Sequence, residues 1–329
     1  MKAVVCKELG GTDVLHVEDV ASPAPRRGEV VVQVVSAGVN FPDVLMIAGK
    51  YQFQVPPPFV PGHEFAGTII EVGEGVDDLE LGQRVVGNAP WGAFAERISV
   101  VSDAVIPLPD DISFDQGAAM LLTYATSHYA LKDRGRLRRD ETVVILGAAG
   151  GVGIAAVQLA KTMGARVIAA ASSEEKLRFC REQGADEAIN YATEDLKERI
   201  KDLTGGHGAD IVYDPVGGSL TEQALRATNW DGRLLVVGFA SGEIPKVPLN
   251  LPLLKGCQIL GVFWGSFIAR SPDLHREYVQ EIFEWTRQGL LRPHIDRVYG
   301  FEDAGRALSD LSERRVRGKV LLRPDTDPT

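Results

Sequence analysis

Apolar and polar positions follow two different patterns along this chain of 329 residues. Between residues 143 and 264, short apolar runs alternate with longer amphipathic segments. The short runs predict strands and the amphipathic segments predict helices. This alternation is typical of a parallel sheet with helices on both faces, a doubly wound α/β fold. The predicted strands are residues 143–146, 166–171, 187–190, 211–214, 233–239 and 258–263, and the predicted helices are residues 154–163, 174–183, 194–203 and 220–228.

The first 120 residues have a different pattern. Glycine and proline turns separate short β-rich runs such as residues 29–36 and 67–72, which predicts a mostly antiparallel β domain. A helix at 274–288 and a strand at 318–323 follow the parallel region, and we expect this strand to return to the first domain. The predicted domains are therefore 1–122 with 265–329, and 123–264.

The sequence VVILGAAGGVG at residues 143–153 joins a predicted strand to a predicted helix through small residues. Glycines let the backbone approach a ligand closely, and the start of a helix favours negative charge, so this turn predicts a dinucleotide site. Ala148 stands where such motifs begin with glycine. A purely structural turn is the alternative interpretation.

Composition and charge argue against some classes of function. The formal net charge of −10 argues against nucleic-acid binding as the main function. No apolar run reaches the roughly 20 residues that span a bilayer, so we expect no membrane span. The three cysteines, Cys6, Cys180 and Cys257, are widely separated and odd in number, which is typical of buried structural thiols in a reducing compartment such as the cytoplasm.

Five segments in order resemble the medium-chain dehydrogenase/reductase superfamily, and within it the zinc-free quinone oxidoreductases related to zeta-crystallin. They are AGVNFPD at 37–43, PGHEFAG at 61–67, AAGGVG at 148–153, DPVGG at 214–218 and VGFA at 237–240. The resemblance covers essentially the whole chain. It implies a GroES-like catalytic domain, a Rossmann domain and a cleft between them that holds NADPH. It also implies a homodimer, in which residues 258–263 pair across a two-fold axis.

The segment Gly62-His63-Glu64 resembles the zinc-binding segment of the superfamily's alcohol dehydrogenases. Catalytic zinc there needs three protein ligands, usually two of them thiolates. In this chain Asn40 and Leu122 stand near the thiolate positions. We therefore predict no metal and interpret His63 and Glu64 as residues retained for turn geometry and hydrogen bonding.

The stretch about 20 residues beyond the glycine motif favours NADPH over NADH. Ser172 and Ser173 stand where an NAD site places a carboxylate. Ser172 and Glu175 form a candidate capping box, which gives that acid a structural explanation. Lys176 is expected to reach a 2′-phosphate, and the resemblance adds Tyr191. A solvated helix lysine is the alternative for Lys176.

The resemblance also implies the residues of the catalytic site. Asn40 is expected to hydrogen-bond the nicotinamide ribose or a substrate oxygen, and Tyr51 to donate a proton or a hydrogen bond. Asp43 either joins them or caps a helix at 42–48, and Tyr51 alternatively packs on the proline run. The predicted catalytic residues are Asn40, Tyr51 and Asp43.

Further residues are assigned to the cofactor. Phe263, Trp264 and Phe267 resemble a wall against cofactor or apolar substrate, although an aromatic core is an equal alternative. Arg317 and Lys319 are candidates for neutralising a phosphate, or surface charges. The predicted cofactor-binding residues are Asn40, Thr126, Ala149, Gly150, Gly151, Val152, Gly153, Ser172, Ser173, Lys176, Tyr191, Gly238, Phe239, Phe263, Trp264 and Lys319.

The sequence predicts an NADPH-dependent reductase of quinones or α,β-unsaturated carbonyl compounds, acting by hydride transfer without zinc. The alternative enzyme is an enoyl-thioester or acrylate-type alkene reductase, which would need a basic surface for its substrate. A non-enzymatic nucleotide-binding or RNA-binding role is a third alternative, and the acidic balance disfavours RNA.

Overall fold

The computed structural model describes residues 1–324, which divide into two compact units. Unit 1 comprises Met1–Leu122 and the segment that begins at Pro293, and unit 2 comprises Thr123–Arg292. The predicted domain boundary differs in one segment, because residues 265–292 belong to unit 2.

Unit 1 is built mainly of antiparallel strands. Strands β1 and β2 form a two-stranded ribbon, and a seven-stranded sheet has the order β14-β15-β3-β4-β5-β7 with β6 also paired to β3. Its pairs are antiparallel except β14 with β15. The strands are β1 (Lys2–Cys6), β2 (Leu15–Asp19), β3 (Glu29–Val39), β4 (Glu64–Val72), β5 (Arg84–Asn88), β6 (Arg97–Val101), β7 (Val105–Pro107), β14 (Ile295–Gly300) and β15 (Lys319–Arg323).

The late strand returns to this first sheet, as the sequence predicted. Strand β15 pairs with the end of β3, with Val320 opposite Val39 and Leu322 opposite Ala37. Helix α1 (Phe41–Ile47) follows β3 directly, and helix α10 (Ala304–Ser312) precedes β15. The same edge of the sheet therefore brings residue 40 and residue 319 together.

Unit 2 contains a six-stranded parallel sheet of order β10-β9-β8-β11-β12-β13. This order reverses between β8 and β11, and in such sheets ligands bind at the carboxyl ends of the strands next to the reversal. The predicted fold class is confirmed. The strands are β8 (Thr142–Leu146), β9 (Arg166–Ala171), β10 (Glu187–Asn190), β11 (Ala209–Asp214), β12 (Thr228–Val236) and β13 (Gln258–Gly261).

The helices of unit 2 include most of those predicted. Helix α2 (Phe114–His128) passes from unit 1 into unit 2 and continues as a π-helical segment, Tyr129–Arg134. The remaining helices are α3 (Gly151–Thr162), α4 (Glu174–Glu182), α5 (Leu196–Leu203), α6 (Ser219–Arg226), α7 (Asn250–Lys255), α8 (Trp264–Arg270) and α9 (Pro272–Arg287).

Helix α9 explains why residues 265–292 lie in unit 2. His128 Nε2 lies 2.7 Å from a Glu281 carboxylate oxygen, and Lys132 Nζ lies 2.5 Å from the same oxygen. The rings of His128 and Tyr278 lie 4.6 Å apart. These contacts hold α9 against the end of α2. The amphipathic pattern predicted the helix but carried no information about its packing partner.

Strand β12 begins five residues earlier and ends three residues earlier than the predicted strand 233–239. The amide groups of Val237 and Gly238 turn back to the carbonyl oxygen of Asp214, at 2.9 and 3.3 Å. The chain therefore leaves the sheet after Val236. No helix in residues 1–324 is long and apolar enough to cross a membrane.

Candidate functional site

The turn between β8 and α3, residues 147–153, is held by its glycines and is called the glycine turn below. Gly147 has a φ of +57°, which favours glycine. A Cβ on Gly153 would overlap the carbonyl oxygen of Gly147 and lie 2.8 Å from Cα of Ala148. A Cβ on Gly150 would meet one atom, the Gly147 oxygen at 3.4 Å. Gly153 is therefore needed for close packing of helix on strand, whereas Gly150 borders open space.

The first turn of α3 has free backbone donors. Its N-cap, Gly150, provides no side-chain hydrogen bond, and the first N–H groups of a helix have no partner within the helix. Free N–H groups and the positive end of the helix dipole suit an anion such as a pyrophosphate. The predicted residues Ala149, Gly150, Gly151, Val152 and Gly153 thus form a cradle that a dinucleotide fits.

The residues predicted near the 2′-phosphate lie at the carboxyl ends of neighbouring strands. Ser172 follows β9 directly, and the amide of Tyr191 donates to Ala171 at 3.1 Å. Ser173 and Lys176 flank the start of α4. The predicted capping box of Ser172 and Glu175 was wrong: Ser173 is the N-cap, its hydroxyl accepts from the Lys176 amide at 3.4 Å, and the third residue of the helix is therefore Lys176 and not an acid.

The segment 214–218 and residues 237–240 form a second turn at the same edge of the sheet. One Asp214 oxygen accepts from the amides of Val216 and Gly217, both at 2.9 Å. The other accepts from the Thr221 hydroxyl at 2.6 Å. This buried carboxylate holds the turn against which Gly238 and Phe239 lie.

The three aromatic residues predicted to line the cofactor or substrate site differ in their exposure. Phe263 is 56% exposed, whereas Trp264 and Phe267 are each 7% exposed. Phe267 stacks on Tyr129 at 4.2 Å, and Trp264 meets His275 edge-on at 5.5 Å. Trp264 and Phe267 therefore belong to the aromatic core, since α8 turns their side chains toward α9. The remaining predicted residue, Thr126, is buried in α2.

Unit 1 contains a buried charged cluster composed of Asn40, Asp43, His63, Glu64 and Lys319. The Lys319 ammonium lies 2.7 Å from a Glu64 carboxylate oxygen, and both side chains are at most 5% exposed. The other Glu64 oxygen accepts from the Leu122 amide at 2.7 Å. Paired, hydrogen-bonded charges of this kind can remain ionised inside a protein.

The neighbours of Asn40 fix the orientation of its amide. Lys319 is purely a donor, so the oxygen 2.5 Å from its ammonium must be Asn40 Oδ1. The amide nitrogen donates to the Gly38 carbonyl and to Glu64, both at 3.0 Å. Both amide protons are thus used inside the protein, so the expected hydrogen bond of Asn40 to the nicotinamide ribose or a substrate oxygen cannot be one that Asn40 donates. A ligand hydroxyl can still meet the second lone pair of Oδ1.

Asp43 connects the start of α1 to His63. One carboxylate oxygen accepts from the backbone N–H of Asn40 at 2.7 Å and so caps the start of the helix. The other carboxylate oxygen lies 2.5 Å from His63 Nδ1. The ring of Tyr51 meets the His63 ring edge-on at 5.7 Å. Burial, together with the nearby Asp43 charge, raises the pKa of Tyr51. Asp43 therefore caps helix α1 and also lies close to Tyr51, so the two interpretations of this residue are compatible.

Lys319 does not occupy the surface position that the sequence suggested. It is the first residue of β15 and is 4% exposed, and it also donates to the Val39 carbonyl at 3.2 Å. Its donors are directed at Glu64, Asn40 and Val39, so the interpretation as a phosphate ligand was wrong. Arg317 lies 3.6 Å from Asp296 in an ion pair.

The positions where the superfamily's zinc ligands stand do not suit a metal ion. Leu122 has no donor side chain and the Asn40 amide is bonded to Lys319 and Glu64, so of these three positions His63 alone offers a ligand atom without a hydrogen-bond partner, its Nε2. A lysine ammonium beside the candidate ligands also opposes a second cation. Among residues 1–324, no three histidine, cysteine or carboxylate side chains are grouped so that they could hold a metal.

Little in the sequence pattern pointed to the Lys319–Glu64 pair. The partners are 255 residues apart along the chain, and Lys319 lies in an ordinary strand pattern. The available signal was local: Glu64 stands in the apolar run that begins β4, where an unpaired carboxylate would be costly.

Comparison with known proteins places these features in a family. Residues 26–110 match the model of the alcohol dehydrogenase GroES-like domain, and residues 151–284 match that of the zinc-binding dehydrogenase. The chain is 39% identical over 325 residues to the quinone oxidoreductase-like protein 2 homolog of Nematostella vectensis, covering 98% of this chain and 88% of that protein.

A bacterial relative and a solved structure are also similar to this chain. The quinone oxidoreductase of Pseudomonas aeruginosa is 35% identical, with 98% of this chain and 99% of that protein covered. The Escherichia coli quinone oxidoreductase, solved in complex with NADPH, superimposes with a TM-score of 0.92 at 31% identity, over 98% of this chain and all of that chain. The chain therefore belongs to the medium-chain dehydrogenase/reductase superfamily of oxidoreductases, among the quinone oxidoreductase-like enzymes.

Proposed function

We propose that this protein uses NADPH to reduce quinones or α,β-unsaturated carbonyl compounds by hydride transfer, without zinc. The observation that carries the proposal is an uncapped glycine turn in a sheet whose neighbouring strand ends present Ser172, Ser173, Lys176 and Tyr191. The glycine turn suits a pyrophosphate, and the four side chains suit a ribose 2′-phosphate. Relatives solved with NADPH support the same cofactor.

Bound NADPH would supply the hydride. Conjugate addition places the developing negative charge on an enolate or quinol oxygen, which hydrogen-bond donors can stabilise. Tyr51 is the proposed donor, because its ring lies against His63 of the charged cluster and its phenol carries a proton at neutral pH. Asn40 is proposed to accept from a ligand hydroxyl through Oδ1, and Asp43 to hold Asn40 and His63 in place.

The proposal excludes a zinc step on the chemistry of the side chains. Zinc would need to displace Lys319 from Asn40 and Glu64, would gain one nitrogen ligand from His63 Nε2, and would gain no thiolate. Reduction of a saturated carbonyl concentrates charge on a single alkoxide oxygen, which zinc stabilises as a Lewis acid. Conjugated substrates spread that charge, so we propose that they are the preferred class.

The test is NADPH oxidation by the purified full chain with a small quinone, an enone and the corresponding saturated ketone. We expect turnover of the first two and little of the third. Comparable turnover of the enone and the ketone would overturn the substrate proposal. Activity that depends on about one zinc per chain would overturn the zinc-free mechanism.

Tyr51→Phe tests the proposed donor. Loss of one such donor typically costs about 10²–10³-fold in rate, so turnover should fall far more than NADPH affinity. Tyr299→Phe is the control, because that phenol also lies in unit 1 but bonds Asp310 at 2.5 Å. Full activity of Tyr51→Phe would contradict the role of Tyr51.

We also propose a homodimer formed through β13. This strand ends the six-stranded sheet, and Ile259 on it is 38% exposed. Leu253 and Leu254 of helix α7, which precedes β13, are 78% and 71% exposed, which is unusual for large apolar residues in water. Light scattering that finds one 35.6 kDa species at all micromolar concentrations would refute the dimer.

A small-molecule substrate and a cytoplasmic location complete the proposal. Cys6, Cys180 and Cys257 are free and buried, which is typical of a reducing compartment. Fractionation of the native host checks the location.

A further inference from the structure

A buried hydroxyl of unit 2 lies directly beneath the glycine turn. Ser127, near the end of α2, has its Oγ 3.0 Å from the carbonyl oxygen of Val152, the second residue of α3. The same Oγ lies 2.8 Å from the Thr123 carbonyl and 2.8 Å from the Tyr213 hydroxyl. Both Ser127 and Tyr213 are fully buried.

The donors in this chain can be assigned. Burial strongly raises the pKa of Tyr213, so its phenol keeps its proton. The Ser127 hydroxyl has one proton and lies within hydrogen-bond distance of two carbonyl oxygens, so that proton is shared between Thr123 and Val152, and the Tyr213 hydroxyl donates to Ser127 Oγ. Tyr213 thereby leaves the Ser127 proton for the two carbonyls. The result is a short chain of hydrogen bonds from β11 to the start of α3.

The last bond acts on the peptide group that joins Val152 to Gly153. A hydrogen bond to a carbonyl oxygen polarises its peptide group and strengthens the N–H at the other end. The Gly153 N–H is one of the first-turn donors that have no partner within the helix. The bond from Ser127 therefore both positions this donor and makes it more positive.

We propose that Ser127 and Tyr213 are positioning residues for the pyrophosphate of the bound nucleotide. This inference rests on the proposed function and deepens it, because it assigns binding strength to two residues that never touch the ligand. They should act on phosphate groups bound at the glycine turn and leave the 2′-phosphate position unaffected.

The experiment measures dissociation constants for Tyr213→Phe and Ser127→Ala with two fragments, ADP and adenosine 2′-monophosphate, and with NADPH. ADP carries the diphosphate for the glycine turn, and adenosine 2′-monophosphate carries the other phosphate. A single hydrogen bond contributes modestly, so we expect ADP and NADPH to bind about 3- to 10-fold more weakly. Binding of adenosine 2′-monophosphate should change less than about 2-fold.

Tyr124→Phe is the matched control. Tyr124 is 2% exposed in the same unit, and its hydroxyl donates to Gln158 Oε1 at 2.9 Å rather than toward the glycine turn. It should lower the melting temperature about as much as Tyr213→Phe and leave all three dissociation constants unchanged.

Unchanged ADP affinity in Tyr213→Phe and Ser127→Ala would overturn the inference, as would an equal loss for both fragments. These results are distinguishable from a failure of the proposed function. If the native chain binds ADP but turns over neither quinone nor enone, the function fails and the fragment comparison still decides the inference. If it binds neither ADP nor NADPH, both are overturned.

Discussion

The buried charged cluster of unit 1 and the glycine turn of unit 2 differ in how their polar groups are hydrogen-bonded. In the cluster, Lys319, Glu64 and Asn40 saturate one another with hydrogen bonds, and all are at most 4% exposed. In the glycine turn, the start of α3 has no side-chain cap, and Gly150 borders open space. These three side chains bond to one another, whereas the turn leaves donors for a ligand.

This difference separates the two kinds of residue that a binding site needs. The mutually bonded side chains of the cluster leave few groups for a ligand, namely the second lone pair of Asn40 Oδ1 and the Nε2 of His63, but their bonds hold those atoms in place. An unsaturated turn binds the ligand but depends on its surroundings for geometry, as with Ser127 beneath Val152. Mutations should therefore affect stability in the first region and affinity in the second.

Lys319→Met should produce the largest effect. It leaves Glu64 charged and unpaired in the interior, which typically costs about 3–5 kcal/mol of unfolding free energy. Denaturant unfolding of the purified chain measures the loss. The double variant Glu64→Gln/Lys319→Met removes both charges and should recover much of it. A single variant as stable as the native chain would show that the pair is not a buried ion pair in solution.

Acid should destabilise unit 2 through its buried imidazoles. Burial lowers the pKa of both His128 and His275 to about 4, with Glu281 opposing it at His128, Lys132 adding to it there, and Arg276 adding to it at His275.

Their pKa in the unfolded chain is about 6.5, so below that pH the unfolded state binds more protons than the folded state. The stability is present above about pH 6.5 and is lost as the pH falls toward 4, by about 3 kcal/mol for each histidine. Urea unfolding at several pH values measures the slope. His275→Phe should flatten it, and exposed His207→Gln should not. An unchanged slope in His275→Phe would contradict the assignment.

Two glycine variants test the open turn. Gly153→Ala forces a methyl group against backbone atoms, so both stability and NADPH affinity should fall, the stability by about 1–3 kcal/mol. Gly150→Ala meets one backbone oxygen at 3.4 Å, so stability should hold while NADPH affinity falls about tenfold. Fluorescence titration and thermal unfolding separate the two quantities. Equal behaviour of the two variants would contradict the proposed cradle.

The smallest expected effect concerns cofactor preference. Lys176→Met should reduce the preference for NADPH over NADH about 3-fold, since a surface-accessible charge pair with a phosphate contributes less than about 1 kcal/mol. Titration with both cofactors measures the ratio. Lys197→Met, on an exposed helix of the same unit, is the control. A preference that survives Lys176→Met would assign the 2′-phosphate to other residues.

Much of the fold was predictable because its signals are local. The strands at 166–171 and 187–190 were predicted to the residue, since apolar runs there are bounded by glycine and helix-start signals. The end of β12 was mispredicted, because apolar residues continue to Phe239 while the backbone already turns back to Asp214. The role of Lys319 was also mispredicted, because burial depends on neighbours that are distant in sequence.

The order of elements, the glycine turn and the family could all be inferred from the amino-acid sequence, because backbone preference, hydrophobic period and motif spacing are properties of neighbouring residues. The tertiary structure decided which polar atoms remain available to a ligand. It directed the Asn40 amide protons inward, turned Trp264 and Phe267 into the core, and placed Ser127 beneath Val152. The physical reason is that a hydrogen bond is committed by whichever groups the folded chain brings within about 3 Å, and sequence spacing does not report that distance.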